Sequence, residues 1–217
     1  MTRAEWEKAR LKGIGASDAA AILGLSPYMT NERLWEIKTG HRAQEDISSK
    51  PYVEYGTKAE QHIRGLFALD YPRYMVEYQD FDVVQHPAYP FLFATLDGRL
   101  LEMDDSETVR LIKRRGVLEI KTTEIFQPTQ WDKWDNRIPD NYYAQVIHQL
   151  LVTGWPFAVL RAQIKWRKNG VLNITTRDYT IEAADVSGEI DFLLQEEIKF
   201  WELVRKKQRP NAILPSI

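Results

Sequence analysis

Two apolar runs, each interrupted by charge at a fixed place, set the strongest limit on how this chain folds. The first, Phe91-Leu92-Phe93-Ala94-Thr95-Leu96, closes on Asp97-Gly98; the second is Val117-Leu118-Glu119-Ile120-Lys121. Asp-Gly after an apolar, aromatic run is a turn signal, which leaves Asp97 at a strand tip. Side chains alternate along a strand, so Glu119 and Lys121 share one face while Leu118 and Ile120 point into a core. If the two strands pair, Asp97 and Glu119 become neighbours.

Close carboxylates repel, and one of them then resists ionisation; a bound Mg²⁺ or Mn²⁺ reverses this and keeps both charged. Hard oxygen ligands suit those metals. Asp97 and Glu119 are therefore candidate metal ligands, with the Ile120 main-chain carbonyl as a third oxygen. Lys121 stands where it positions an attacking water or stabilises charge on a phosphorus. Taken alone the motif is weak, because an Asp-Gly turn and an exposed Glu/Lys pair occur in many proteins.

Periodicity and turn residues imply an α/β chain. Ser17 or Asp18 caps a short helix over Ala19–Leu23, stopped by Gly24, and Thr30 or Asn31 caps a second to Thr39, ended by Gly40. Residues 41–51 are a polar loop. A helix over Val53–Leu69 carries Glu60, with Ile63, Leu66 and Phe67 at helical spacing. Strands are expected at 74–84, 91–103, 108–112 and 116–122. A Trp- and Pro-containing stretch over 127–140 leads to a helix over Asn141–Thr153 ended by Gly154, where Gln145 and Gln149 share a face. A hairpin of 157–166 and 171–180 turns at Asn169-Gly170, and a helix over Ala183–Lys206 follows. This order suits a central mixed β-sheet flanked by helices, one domain over residues 1–217.

Composition narrows the class without naming it. The chain has 217 residues, enough for one sizeable core, and 44% are hydrophobic. Net charge is −2, so no global basic signal marks a nucleic-acid partner. Local basic segments are Lys113-Arg114-Arg115, Arg161 to Lys168, and Arg205-Lys206-Lys207 with Arg209; each is either a phosphate contact or a solvated face. The absence of cysteine excludes disulfides, thiolate zinc and iron–sulfur clusters. No apolar run is long enough to span a membrane, the N-terminal segment has no signal-peptide core, and no phosphate-binding loop for ATP is present, so a cytoplasmic protein without a nucleotide cofactor is expected. His41, His62, His86 and His148 are scattered, and the ordinary surface reading is preferred for His62 and His148.

Five segments in order carry a resemblance. They are Trp6 to Leu11 with Gly13-Ile14-Gly15-Ala16-Ser17-Asp18; Tyr55-Gly56-Thr57-Lys58-Ala59-Glu60 running on to Arg64 and Phe67; Asp97-Gly98; Leu118-Glu119-Ile120-Lys121; and Tyr143-Ala144-Gln145-Val146 with Gln149. Together they resemble the phage lambda exonuclease and YqaJ-type viral recombinase family of the PD-(D/E)xK nucleases, over residues 6–165. Thr95-Leu96-Asp97 departs from the family's Ser-Pro-Asp.

The resemblance implies a restriction-endonuclease-like core and a single exonuclease domain. It adds Glu60 to the metal site, Gln145 as a residue that orients it, and Arg10, Ser17 and Thr95 as a cradle for a terminal 5′ phosphate. Arginine is a forked, charge-assisted donor, and Ser17 near a helix start is either an anion contact or a plain cap. Trp131, Trp134, Tyr142 and Tyr143 either stack on bases or pack a core. The implied activity is Mg²⁺- or Mn²⁺-dependent 5′ to 3′ degradation of one strand at double-stranded DNA ends, leaving 3′ overhangs. A homotrimer and a single-strand annealing partner are implied as well. A site-selecting endonuclease and a non-catalytic DNA-binding or annealing module are the alternatives.

Overall fold

The structure, a computed structural model, describes residues 2–104 and 111–213. Helix α1 (Arg3–Arg10) opens the chain under a capping box from Thr2 and Glu5. Strand β1 (Ile14–Gly15), a 3₁₀ turn at Ala16–Asp18 and helix α2 (Ala19–Ile22) follow, then α3 (Asn31–Lys38), capped by the Thr30 hydroxyl, and the long α4 (Pro51–Asp70). Next come β2 (Tyr74–Glu77), β3 (Val83–Gln85), β4 (Leu92–Thr95), β5 (Gly98–Met103) and the 14-residue β6 (Ile112–Ile125). Helix α5 (Asp140–Thr153), the hairpin β7 (Phe157–Lys168) and β8 (Val171–Glu182), and α6 (Ser187–Arg205) complete the order.

The hairpin and the helices expected from sequence are found with their ends shifted by a few residues, whereas α1 was not expected. Gly154 takes a left-handed φ of 63° to end α5, and Asn169-Gly170 turn the hairpin with φ of 51° and 79°. The strands depart from expectation. The single run expected over 91–103 breaks at Leu96-Asp97, and that over 74–84 breaks into β2 and β3. The members of each broken run go to different sheets: β1-β4-β3 forms a three-stranded sheet and β2-β5-β6-β7-β8 a five-stranded mixed one. The 116–122 strand is longer than expected, and most of the one expected at 108–112 lies outside the described residues.

Two apolar layers cover the larger sheet. On one face Leu118, Ile120, Phe157 and Val159 pack with Ile63 and Phe67 of α4. On the other, Val117, Ala158, Leu160 and Ile164 join α2, α5, α6 and the smaller sheet through residues such as Ala20, Val146, Leu193 and Leu92. Helix α5 therefore sits between the sheets, and β6 is covered on both sides.

The join between β1 and β4 is close. Ile14 N–H donates to the Phe91 carbonyl at 2.7 Å, and a Cβ on Gly13 would overlap that same carbonyl. Neither backbone segment has room to yield. Gly13→Ala is expected to lower stability by about 1–3 kcal/mol, the usual cost of overpacking, read as a fall in the urea midpoint; an unchanged midpoint would contradict this close approach.

Candidate functional site

The break between β4 and β5 creates the site. Strand β5 pairs with β6 only as far as Gly98 opposite Leu118, after which β6 runs on with its edge uncovered by β5. The Ile120 N–H at that edge has lost its ladder partner, and Asp97 supplies one: its Oδ2 accepts from Ile120 N at 2.8 Å. Amide and carbonyl of one strand residue point to the same side, so the Ile120 carbonyl also faces this notch. Arg64, one turn past Glu60 on α4, donates to the Asp97 carbonyl at 2.6 Å and fixes the break from below.

Glu119 faces α5. The alternation read from sequence holds, but the face is closed rather than exposed, and only 1% of Glu119 is accessible. A buried carboxylate is costly unless it is paired and hydrogen-bonded. Gln145 Nε2 reaches Oε1 at 2.6 Å, Gln149 Nε2 reaches Oε2 at 2.5 Å, and Lys121 Nζ lies 2.5 Å from Oε1. Gln149, on the helix face it shares with Gln145, is fully buried and holds Glu119.

Charge in the notch is unbalanced. Burial first, then the charges of Glu119 and Glu60, push the Asp97 carboxyl well above its ordinary range. Glu60 is raised by burial and then by Glu119. Burial pulls the Lys121 ammonium down, but Glu119 and Asp97 outweigh it and hold it above its usual value. Three carboxylates thus gather around one ammonium.

This donor set suits a hard divalent cation. It contains carboxylate oxygens and a main-chain carbonyl with no sulfur or imidazole, its acids outnumber the one ammonium, and Gln149 Oε1 is buried without a hydrogen-bond partner among the described residues. No three acidic or histidine side chains among the described residues are already drawn together as a coordination sphere. The geometry explains this: Glu119 is spent on its amides and Lys121, and Asp97 on the Ile120 N–H.

Next to the notch, a cavity of about 120 Å³ is lined by Trp6, Arg10, Ser17, Phe93, Thr95 and Gln145. All three residues assigned to a phosphate cradle are here. Arg10 Nη2 donates to Ser17 Oγ at 2.9 Å and lies over the Trp6 ring, whose Nε1 donates to Thr95 Oγ1 at 2.8 Å. Ser17 sits inside the 3₁₀ turn and not at the cap of α2, where Asp18 stands without a side-chain capping bond; the Ser17 hydroxyl meets Arg10 instead. Nothing in the sequence around Trp6 marks it as a wall of this cavity. Gln145 belongs to both places, since it lines the cavity and donates to Glu119.

Among His62, His148, Trp134 and Tyr142, only Tyr142 borders the notch. His148 is not a surface residue: it is fully buried, with Nδ1 2.6 Å from Glu197 Oε1 and Nε2 2.9 Å from the Phe93 carbonyl. His62 is exposed. Trp134 is core, and its carbonyl accepts from Tyr179; Tyr142 packs on Trp134 and lies near Lys121, whose Nζ is 5.1 Å from its ring centre. Among the basic segments, Arg114 is spent on Glu102 and Glu182, Arg161 on Asp70 and Asp178, and Arg209 on Glu32.

Residues 5–156 match the YqaJ-like viral recombinase domain. The chain belongs to the YqaJ-like viral recombinase family. One relative is the uncharacterized protein YqaJ of Bacillus subtilis (strain 168), 31% identical over 208 residues, which cover 93% of this chain and 56% of YqaJ. This YqaJ-type chain therefore spans little more than half the length of that relative. Its fold matches the alkaline exonuclease LHK-Exo of Laribacter hongkongensis at a TM-score of 0.54 and 18% identity, covering 94% of this chain and 97% of the other. LHK-Exo in complex with dAMP matches at 0.56 and 17%, with the same coverage. No helix among the described residues of the YqaJ-type chain is long and apolar enough to cross a membrane.

An acid whose folded-state pKa is raised costs stability as pH climbs from its ordinary value, 3.8 for Asp97, through the raised one. Asp97→Asn keeps an oxygen for the Ile120 N–H and removes the charge. It is expected to stabilise the protein at pH 8 in EDTA by at least about 1 kcal/mol, with the gain shrinking towards pH 4. A thermal midpoint that falls at pH 8 would show that the carboxylates do not repel.

Proposed function

We propose that the chain is a metal-dependent 5′ to 3′ exonuclease that removes one strand from the ends of linear double-stranded DNA and leaves 3′ overhangs. The observation that supports this reading most is the shared wall. A small cavity of about 120 Å³ with Arg10 in its wall, a volume that suits a terminal phosphate, adjoins a carboxylate notch through Gln145. An end-recognition pocket beside a hydrolytic site is what exonucleolysis needs and what cleavage within a strand does not.

Each residue then has a task. Arg10, Ser17 and Thr95 bind the 5′ phosphate, with Trp6 holding Arg10 and Thr95 in place. Asp97, Glu119, Glu60 and the Ile120 carbonyl hold Mg²⁺ or Mn²⁺, which when bound polarises the scissile phosphate and activates water. Gln145 and Gln149 orient Glu119, and Lys121 orients the attacking water or stabilises the negative charge that builds on phosphorus. Arg64 keeps Asp97 at the break in the strand.

Family likeness also supports a ring-shaped homotrimer around the duplex and a single-strand annealing protein as partner. Monomers in sedimentation equilibrium would overturn the ring.

Lys121→Ala is expected to lower cleavage of end-labelled linear duplex by at least about a hundredfold while DNA binding persists, and EDTA should stop the wild type. Cleavage of a covalently closed circle would favour a site-selecting endonuclease instead. Arg10→Ala should lower kcat/KM on 5′-phosphorylated ends about tenfold more than on 5′-hydroxyl ends, the size of a lost charge-assisted contact. Equal losses on both ends would remove the phosphate pocket.

A further inference from the structure

Behind the phosphate cavity lies an ion pair that none of the five family-like segments contains in full. Lys38, in the last turn of α3, has a side chain only 4% exposed, and its Nζ lies 2.7 Å from Asp18 Oδ2. The same ammonium donates to the Arg10 carbonyl at 2.7 Å. Asp18 Oδ2 in turn accepts from Gly15 N–H at 3.0 Å. One buried lysine thus touches both halves of the cradle: the end of α1 that carries Arg10, and the Gly15–Asp18 turn that carries Ser17.

A dry ion pair is an expensive way to fasten two loops. Desolvating two charges costs several kcal/mol, and a well-packed apolar pair fastens them as firmly. Electrostatics gives the pair a use. Asp18 is needed to hold the Gly15 amide, but its carboxylate sits close enough to feel Arg10; burial pushes its pKa up, yet Lys38, Arg10 and the Gly15 amide outweigh burial and hold it below its ordinary range, so it is ionised at neutral pH. Left alone, that charge would cancel Arg10 at the place where a phosphate must bind. Arg10 makes no ion pair among the described residues; its guanidinium reaches Ser17 and stacks on Trp6. With Lys38 present the three charges sum to one positive, and without it to zero.

We propose that Lys38 is a specificity-determining positioning residue for the terminal phosphate: by neutralising Asp18 from behind, it leaves the Arg10 charge unspent and so sets the preference for 5′-phosphorylated over 5′-hydroxyl ends. Lys38 does not touch the phosphate; it acts through Arg10 and Asp18. The inference rests on the phosphate-pocket reading above.

The test measures kcat/KM on one linear duplex carrying either 5′-phosphate or 5′-hydroxyl ends, for the wild type, Lys38→Met and Asp18→Asn. Lys38→Met should lower the phosphate-to-hydroxyl ratio on the order of tenfold, the effect of one uncompensated charge at such a distance. Asp18→Asn, which leaves the lysine in place, should raise the ratio. A purely structural pair would weaken both substrates alike in both variants, and an unchanged ratio overturns the proposal. If Lys38→Met does not fold, as judged by circular dichroism, Asp18→Asn decides alone: a ratio that stays or falls sinks the idea. A wild-type ratio of one would instead overturn the pocket itself, and this inference with it.

Discussion

The hydrogen bond from the Ile120 amide to the Asp97 carboxylate organises the region around it. A strand that peels away from its neighbour leaves an unpaired amide, and an unpaired buried amide costs about as much as a lost hydrogen bond. Filling that gap with an ionisable side chain solves a backbone problem and, in the same stroke, brings a second acid beside Glu119. The strain between those acids is therefore not a defect of packing; the topology imposes it. Arg64 secures the break on the α4 side, and the two glutamines of α5 secure Glu119 on the other.

Helix α5 mediates between the two places that matter. Gln145 faces the Arg10-lined cavity and Glu119 at once, so a group bound in either place changes the surroundings of the same amide. Thermodynamic linkage makes such an effect mutual. One turn further on, Gln149 fixes the second oxygen of Glu119, and His148 between them anchors the helix to β4 and α6. Three adjoining stretches of secondary structure are held in register through one helix face.

Much of this was legible in the residues. Alternation in Val117–Lys121 marks the strand and its faces, and Gln145 with Gln149 mark a shared helix face; Asp97-Gly98 marks the break between β4 and β5, although no hairpin turn joins those strands. Family-like segments drew attention to Arg10, Ser17 and Thr95, which the fold does bring to one cavity. What escaped reading depends on partners far along the chain. A continuous apolar run over 91–103 carries no local sign that its halves enter different sheets, because the split is decided by which neighbours β4 and β5 find. Lys38 looks like any lysine ending a helix, and its burial follows from the return of Asp18 and Arg10 against it. The long-range ion pairs of Arg114 and Arg161 are hidden in the same way, and they remove those two arginines from the candidate phosphate contacts.

The imidazole of His148 has a bearing on where the working unit ends. A carbonyl can only accept, so Nε2 carries the hydrogen shared with Phe93, and Nδ1 is left to meet Glu197 from α6. The stretch that matches the recombinase domain stops at residue 156, yet the tie that steadies β4 and α5 is completed forty-one positions later. Residues 5–156 alone thus lack one of the ties that hold β4 and α5, and α6 belongs to the same scaffold.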